Sequence, residues 1–471
     1  MDGLECNEIF LSQVLKYEPF RIDSHFYEKQ YMELNNILSH FKCIYLKELV
    51  QKTIQTGHTP SMAVDSYYGG NIALIKTDNL HDNSIGTIFT DFLTEEGNAV
   101  ISRTALSARD IITTIIGATE SIIARSAIIT EEYLPANINQ NIVQIRINPN
   151  KVSPEYTNIF LNTKYGKKYL VYLSRQTEQF NLNCKEIESV PIPILSCSFQ
   201  HEIEKIVLLA QKKQSESRAK YKEAEKMLGA LNEFQNCRDT QPVIAIKQFS
   251  DSLIKNNRID AEFYHPKYNI FEKMKNYEWK YLKELADIDN GDFIEEEKYG
   301  NTGIAYIRGS DIVNEIIDVN SAIKVNIPVQ DYKFIDNNDI AFSMIGSVGT
   351  VSINLDSNCI LSNNLGSIKP FDKAMSLYLL VYLKSKMGQL LFEKYKTRTA
   401  QPKIRKEDVE SFIIPILDKN TITSLSTKVQ ESFVLLRKSK EIFEYAKQAI
   451  EMAIERDENT ALEWLKRSMV L

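Results

Sequence analysis

From Ile203 to Phe234 the apolar and small side chains keep a seven-residue beat. Ile203, Ala210, Ser217, Ala224 and Leu231 recur every seven positions, and Val207, Gln214, Tyr221 and Leu228 fall four later each time. The stretch has no proline, and its only glycine is Gly229. This a/d seam predicts one long helix, Ile203 to Phe234, packed along another long helix. At ~1.5 Å per residue it spans on the order of 50 Å. Gln214 and Ser217 weaken the seam as a self-sufficient zipper, so it calls for a specific partner. A second seam lies near the C-terminus. Ile422, Val429, Leu436, Phe443 and Ile450 recur every seven residues, with Leu425, Ser432, Ser439, Ala446 and Ala453 at plus three.

Shorter patterns fill the stretches before each helix, and they come twice. Arg21-Ile-Asp-Ser-His-Phe-Tyr27 matches Arg258-Ile-Asp-Ala-Glu-Phe-Tyr264, and Tyr45-Leu-Lys-Glu-Leu49 recurs identically at Tyr281 to Leu285. Asn71 to Lys76 parallels Gly303 to Arg308, Asp110 to Gly117 parallels Asp339 to Gly346, and Glu188 to Leu195 parallels Glu410 to Leu417. Five matches in one order, each series followed by a long helix, indicate a duplication. A duplicated chain predicts a pseudo-twofold molecule: two similar α+β heads held apart by two antiparallel helices. A ligand that is itself long, with two sites along it, suits such a molecule, and duplex DNA with two half-sites is one.

Within the first copy, Phe26, Tyr27, Tyr31, Leu34 and Leu38 predict a helix. Short strands are expected over 71–76, 110–116, 121–129 and 142–147, punctuated by glycines. A helix is expected over 153–175, opened by Pro154-Glu155. Pro191 and Pro193 mark an extended strap, and Cys237 to Pro242 a linker. The second copy predicts a helix over 260–275, strands over 304–308, 339–344, 350–353 and 365–369, a helix over 376–395 and a strap over 413–417.

Composition narrows the function classes. The 471 residues suit two or three domains. No run approaches the ~20 apolar residues of a membrane span, and the N-terminus lacks a basic, then apolar, leader pattern. A cytoplasmic protein is expected. Six scattered cysteines without a CxxC pair suggest neither a disulfide framework nor a zinc site. The net charge of −6 argues against a globally basic nucleic-acid binder but leaves room for local basic surfaces.

Catalytic constellations are missing. The chain has no GxGxxG after a strand, no GxxxxGK[ST] and no HExxH, nor the proline–aromatic tetrad that amino-methyltransferases use on a flipped base. Asp292, Glu296 and Lys298 imitate a metal-nuclease triad but crowd into one acidic turn, which reads as a solvated loop. Gly346-Ser-Val-Gly349 reads as a hairpin turn rather than a phosphate nest. Basic residues do concentrate locally. Lys384, Lys386, Lys394, Lys396, Arg398, Lys403, Arg405 and Lys406 follow one another with Glu393 as the lone acid. The corresponding stretch of the first copy carries Lys164, Lys167, Lys168, Arg175, Gln176 and Gln179. A helix end running into such a loop can place Arg and Gln on base edges and lysines on phosphates. A solvated basic helix face is the plainer reading; its recurrence in both copies favours nucleic-acid contact.

Lys396-Thr-Arg-Thr-Ala-Gln-Pro-Lys-Ile404, then Val409 and Phe412 to Leu417, then a long helix, resembles the end of a target-recognition domain in type I restriction-modification specificity (S) subunits. Asp339 to Gly349 and Tyr306 to Ile312 are similar to other parts of that domain. The first copy departs from the pattern, with Thr177-Glu-Gln-Phe-Asn-Leu182 in place of Thr-Ala-Gln-Pro. The resemblance implies an α+β fold of two duplicated, mixed target-recognition domains separated by two long antiparallel coiled-coil helices. The first domain would cover 1–200, its helix 201–236, the second domain 237–418 and its helix 419–471.

It further implies a non-catalytic subunit, each head reading one half of a bipartite DNA site while the helices set the spacer. Two methyltransferase (M) subunits would dock on the helices, joined by restriction/translocase (R) subunits. S-adenosylmethionine, ATP and Mg would bind those partners, and this chain would bind no cofactor. Charge and loop position select Arg175, Gln176 and Gln179 in the first head as DNA contacts. In the second they select Arg308, Lys396, Arg398, Gln401, Lys403 and Arg405. Three readings stand beside this one: a specificity-like component of another phage-defence assembly, a protein scaffold whose heads no longer read DNA, and an enzyme with an unrecognised site, which the missing motifs disfavour.

Overall fold

A computed structural model of the chain describes residues 8–15, 21–22, 24–86, 89–120, 122–176, 179–228, 258–274, 278–300, 302–320, 322–328, 332–397 and 400–469, with 244, 246, 248, 250 and 252. It is a mixed helix-and-strand protein that divides into two compact units. One comprises Met1–Ser215 with Leu436–Leu471, the other Glu216–Leu435.

The first unit is built on an antiparallel sheet in the order Gln55–Thr56, Ile142–Ile145, Ile111–Thr114, Ser126–Ile128. Beyond the half-buried Gln55–Thr56, its three strands are buried on both faces, and the pleat sends alternate residues into different cores. Ile111, Val143 and Ile145 join the main core, whereas Ile112 and Ile142 join a smaller one with Ala136 and Ile138. Ala136–Ile138 pairs in parallel with Tyr68–Ile75. Two helices, Pro154–Asn162 and Lys164–Leu173, bring Tyr156, Ile159, Phe160 and Leu170 to the main core.

The second unit repeats this order with Ala286–Asn290, Leu365–Pro370, Ile340–Ser343 and Val351–Ile353. Ile340 and Phe342 point to one core and Ala341 to another. Cys359–Leu361 pairs in parallel with Ile304–Ile307. The prolyl straps are strands in both units: Pro191–Pro193 pairs with Cys43–Tyr45, and Ile413–Pro415 with Trp279–Tyr281. Buried tyrosines hold them, Tyr156 Oη donating to Pro193 O at 2.7 Å and Tyr378 Oη to Pro415 O.

Two long helices, Cys197–Lys226 and Lys419–Glu455, contribute to both units. In the first unit Ile203, Val207 and Ala210 share a core with Phe443, Ala446, Ala449, Ile450 and Ala453. There Ser439 Oγ donates to Ala210 O at 2.8 Å. In the second unit Ala224 and Leu228 share a core with Ile422, Leu425 and Val429. There Ser217 Oγ donates to Ser432 O at 2.8 Å, and Lys220 pairs with Glu431 and Lys428 with Glu223. Within each unit the paired segments run antiparallel. The small polar seam residues therefore hydrogen-bond to the facing backbone, which fixes register.

Several predicted elements are shorter or divided. The helix expected over 153–175 is two helices, because Thr163 leaves helical geometry and accepts from Gly166 N–H to start the second. Ser385 divides 376–395 in the same way at Ser376–Lys384 and Lys386–Tyr395, accepting from Gly388 N–H. In place of one helix over 260–275 stand a 3-10 turn, Pro266–Asn269, and a short helix, Ile270–Met274; Pro266 has no N–H to continue a longer one. Of 121–129 only Ser126–Ile128 is strand. The first long helix starts earlier than its seam suggests, at Cys197, while Leu231, Phe234 and the 237–242 linker lie outside the described residues. The last helix ends at Glu455, and Asp457 caps a separate helix, Glu458–Ser468. Among the described residues no helix is long and apolar enough to cross a membrane. Cys43, Cys184, Cys197 and Cys359 are free thiols.

Candidate nucleic-acid interface

In each unit a helix ends under an arginine clamp. Arg21 Nη1 donates to Leu173 O at 2.8 Å while its guanidinium lies 4.6 Å from the Phe26 ring centroid. Arg258 Nη1 donates to Tyr395 O at 2.7 Å and lies 4.6 Å from the Phe263 ring centroid. Tyr27 and Tyr264 hydroxyls return a hydrogen bond to the carbonyls of those arginines, at 2.8 and 3.0 Å. The repeated Arg-Ile-Asp…Phe-Tyr words are thus a device that fixes where the next loop begins.

That loop folds back on itself and docks on a strand end. In the first unit Arg175–Gln176 pairs with Phe180–Asn181, and the latter pairs with Ile116–Gly117. Leu182 N–H closes the hairpin onto Ile115 O at 2.8 Å. In the second unit Thr397 N–H donates to Lys403 O at 2.8 Å, and Lys403 bridges Ile345. Ile404 N–H then donates to Met344 O at 2.9 Å. The hydrogen bonds match position for position, so Gln179 and Gln401 occupy equivalent places.

The strand end beneath the loop passes the connection on. Ile115 N–H donates to Asn141 O at 2.9 Å, and Asn139 N–H to Ile75 O at 3.1 Å. In the second unit Met344 N–H donates to Asn364 O and Ser362 N–H to Ile307 O, both at 2.9 Å. Lys76 and Arg308 come next along the chain. One backbone platform therefore carries, side by side, a polar hairpin, a short amide-rich turn and a cationic residue.

The sequence-selected residues fall on it unevenly. Arg175 is exposed, but its Nε lies 3.0 Å from Glu186 Oε1. Arg405 is exposed too, with Nε and Nη2 both 2.9 Å from the Asp408 carboxylate. Glu186 and Asp408 are the third residues of equivalent short helices, Cys184–Glu188 and Lys406–Glu410. These two guanidiniums brace the base of the loop rather than point from its tip. Gln179, Lys403 and Gln401 are exposed on the loop itself, and Lys396 is half-buried at its start. Arg308 is exposed, its backbone N–H donating to Asp311 at 2.7 Å. Arg398 and the side chain of Gln176 lie outside the described residues.

Other basic residues of the cluster serve packing. Lys384 pairs with Glu315 at 3.3 Å, and Lys394 lies 4.9 Å from the Phe263 ring centroid. Lys406 lies 3.6 Å from Glu410 and 3.7 Å from Asp289. Sequence reasoning aligned Lys76 with Arg308 through the repeated Ile-Ala-x-Ile-Lys/Arg words but selected only Arg308 as a candidate contact. Lys76 is paired with Asp91. Among the described residues no group of three or more His, Cys, Asp or Glu side chains is arranged to hold a metal ion.

Residues 274–463 match the family model for the type I restriction modification DNA specificity domain. The type I restriction enzyme EcoBI specificity subunit of Escherichia coli is 26% identical over 132 residues, 28% of this chain and 27% of that relative. The chain thus spans about a quarter of the length of this curated relative. Two solved structures are similar in part. The HsdS subunit from Thermoanaerobacter tengcongensis is 15% identical with a TM-score of 0.30, covering 88% of this chain and 97% of that one. The type I restriction-modification S subunit from M. genitalium is 10% identical with a TM-score of 0.31, covering 90% and 96%. Over residues 274–463 the chain is thus similar to the type I restriction modification DNA specificity domain, and part of it is similar to a type I restriction enzyme specificity subunit.

Proposed function

We propose that this chain is the non-catalytic DNA-sequence-specificity subunit of a type I restriction-modification complex. Each unit carries a target-recognition domain, expected over about 1–200 in the first and 237–418 in the second, and each domain reads one half of a bipartite site. The observation that carries this is the same hairpin platform in both units, with exposed Gln179 on one and exposed Gln401 and Lys403 on the other. Amide side chains at a loop tip suit base edges, and lysines beside them suit phosphates. Arg308 and Lys396 belong to the second unit's contact set, as does Arg398. Arg175 and Arg405 contribute chiefly by holding the loop.

The long helices, Cys197–Lys226 and Lys419–Glu455, set the spacer and dock two methyltransferase subunits. Restriction/translocase subunits complete the assembly, in the cytoplasm. S-adenosylmethionine, ATP and Mg belong to those partners.

The test is a pull-down of the tagged chain from its own cells, followed by mass spectrometry and methylome sequencing. The expected result is an adenine methyltransferase in about twofold excess and a methylated motif in two parts. Recovery of other defence proteins with no methyltransferase overturns the proposal.

A further inference from the structure

The short turns Asn139-Gln-Asn141 and Ser362-Asn-Asn364 offer one amide side chain each, Gln140 and Asn363, at the same place on the two platforms. Both are exposed. The residues around them are locked: Asn139 and Ser362 donate to the carbonyls of Ile75 and Ile307, the residues just before Lys76 and Arg308, and Asn141 and Asn364 accept from the strand end that carries the hairpin. Each turn therefore lies one strand from that strand end and about two strand spacings, ~10 Å, from the hairpin's inner strand. A groove-width ligand seated on the hairpin reaches the turn.

We infer that Gln140 and Asn363 donate their side-chain amide N–H groups to the sugar-phosphate backbone of duplex DNA, as sequence-independent contacts beside each reading loop. The inference rests on the DNA-reading function proposed above. Three observations carry it. Thr59 Oγ1 donates to Gln140 Oε1 at 2.6 Å, which engages the acceptor end of the exposed amide and leaves its N–H groups without a partner among the described residues; a phosphate oxygen accepts only. Asn363 makes no side-chain hydrogen bond among the described residues, so its amide is available. The chemistry is also the same in both units, although the two loops differ: Arg-Gln-Thr-Glu-Gln-Phe-Asn from Arg175 against Thr-Arg-Thr-Ala-Gln-Pro-Lys from Thr397. Two loops that differ suit two different half-sites, whereas a side chain of one kind in both suits what every duplex has in common.

The experiment uses the full chain with the subunits that copurify with it, and fluorescence anisotropy on two duplexes: one with the motif found in the methylome, one of unrelated sequence. Gln140→Ala and Asn363→Ala are each expected to weaken binding about three- to tenfold, on both duplexes alike, the loss typical of one hydrogen bond. The slope of log affinity against log salt stays unchanged, because a neutral donor releases no counterion. Gln140→Glu, close in size but repelled by phosphate, is expected to lose more than Gln140→Ala on both. Unchanged affinity overturns the inference, and so does a loss confined to the motif duplex, which makes the amide a base reader. If the parent complex binds neither duplex, the proposed function itself falls, and this contact with it.

Discussion

Asp110 and Asp339 stand at matching points of the two units, each 1% exposed and each preceded by a residue with positive φ, Arg109 at 67° and Asn338 at 68°. Their surroundings differ. Asp110 accepts from Arg146 Nε and Nη2 at 2.6 and 2.7 Å, from Gln144 Nε2 at 2.5 Å and from Ser107 N–H at 2.8 Å. Asp339 accepts from Asp336 N–H at 2.8 Å and from Lys373. Arg109 also reaches Glu155 at 2.8 Å (Nε) and Glu204 at 3.0 Å, tying the first unit's sheet to its long helix, a link that Asn338 cannot make. The units thus share a backbone scheme down to single hydrogen bonds and have diverged in the ions built on it. Backbone hydrogen bonds need no particular side chain, so they survive substitution; an ion pair needs two side chains to agree.

The comparison can be broken most forcefully at these carboxylates. Asp110→Ala is expected to destabilise the chain by on the order of 3 kcal/mol, since it strands Arg146 and Gln144. Asp339→Ala is expected to cost less, because Lys373 is 47% exposed and turns to water. Denaturant unfolding of both variants decides it; equal losses would mean that the ion networks are not what distinguishes the units.

Next come the loops. Gln179→Ala and Gln401→Ala should each cost ~1–3 kcal/mol in binding the cognate duplex and relax one half-site only. Selection of bound duplexes from a random pool reads this out, and relaxation of both half-sites by either variant contradicts independent reading heads. Tyr156→Phe and Tyr378→Phe should each cost about 1 kcal/mol of stability, equally, because both remove a buried donor to a strap carbonyl.

The smallest effect concerns acid. The Arg258 guanidinium, hydrogen-bonded to Asp260, holds that carboxyl below the usual carboxylate range. A lowered folded pKa contributes stability above the unfolded value, about 3.9, and loses it as pH falls through the folded one. Melting temperature followed from pH 6 downward should fall less steeply in Asp260→Asn than in the parent chain; identical slopes would remove Arg258 from the acid response.

Much of this architecture was legible in the chain. The heptad seams located both long helices, while Ser217 and Ser439, which read as weak points of the seam or went unremarked, turn out to hydrogen-bond to the facing backbone. The repeated words include Arg21 and Arg258, whose clamping role only the structure shows. Legibility failed where tertiary contact decides. Thr163 and Ser385 interrupt helices that look continuous, because the following glycines press against the carbonyls of Phe160 and Tyr382, where a Cβ would collide. Arg175 and Arg405 looked like base readers and are braced by Glu186 and Asp408, a pairing invisible without knowing that each short helix begins beside its loop. Gln140 and Asn363 drew no notice, since amides in a short turn between strands carry no periodic signal.

The sequence by itself determined the two-fold internal repeat, the long helices and most of the short strands between them. These follow from local periodicity and from words copied by duplication. Only the tertiary structure decided which charged side chains point outward and which are held by a neighbour. That choice depends on contacts between segments far apart in the chain, and a charge has the same letter whether it faces water, a carboxylate or a ligand.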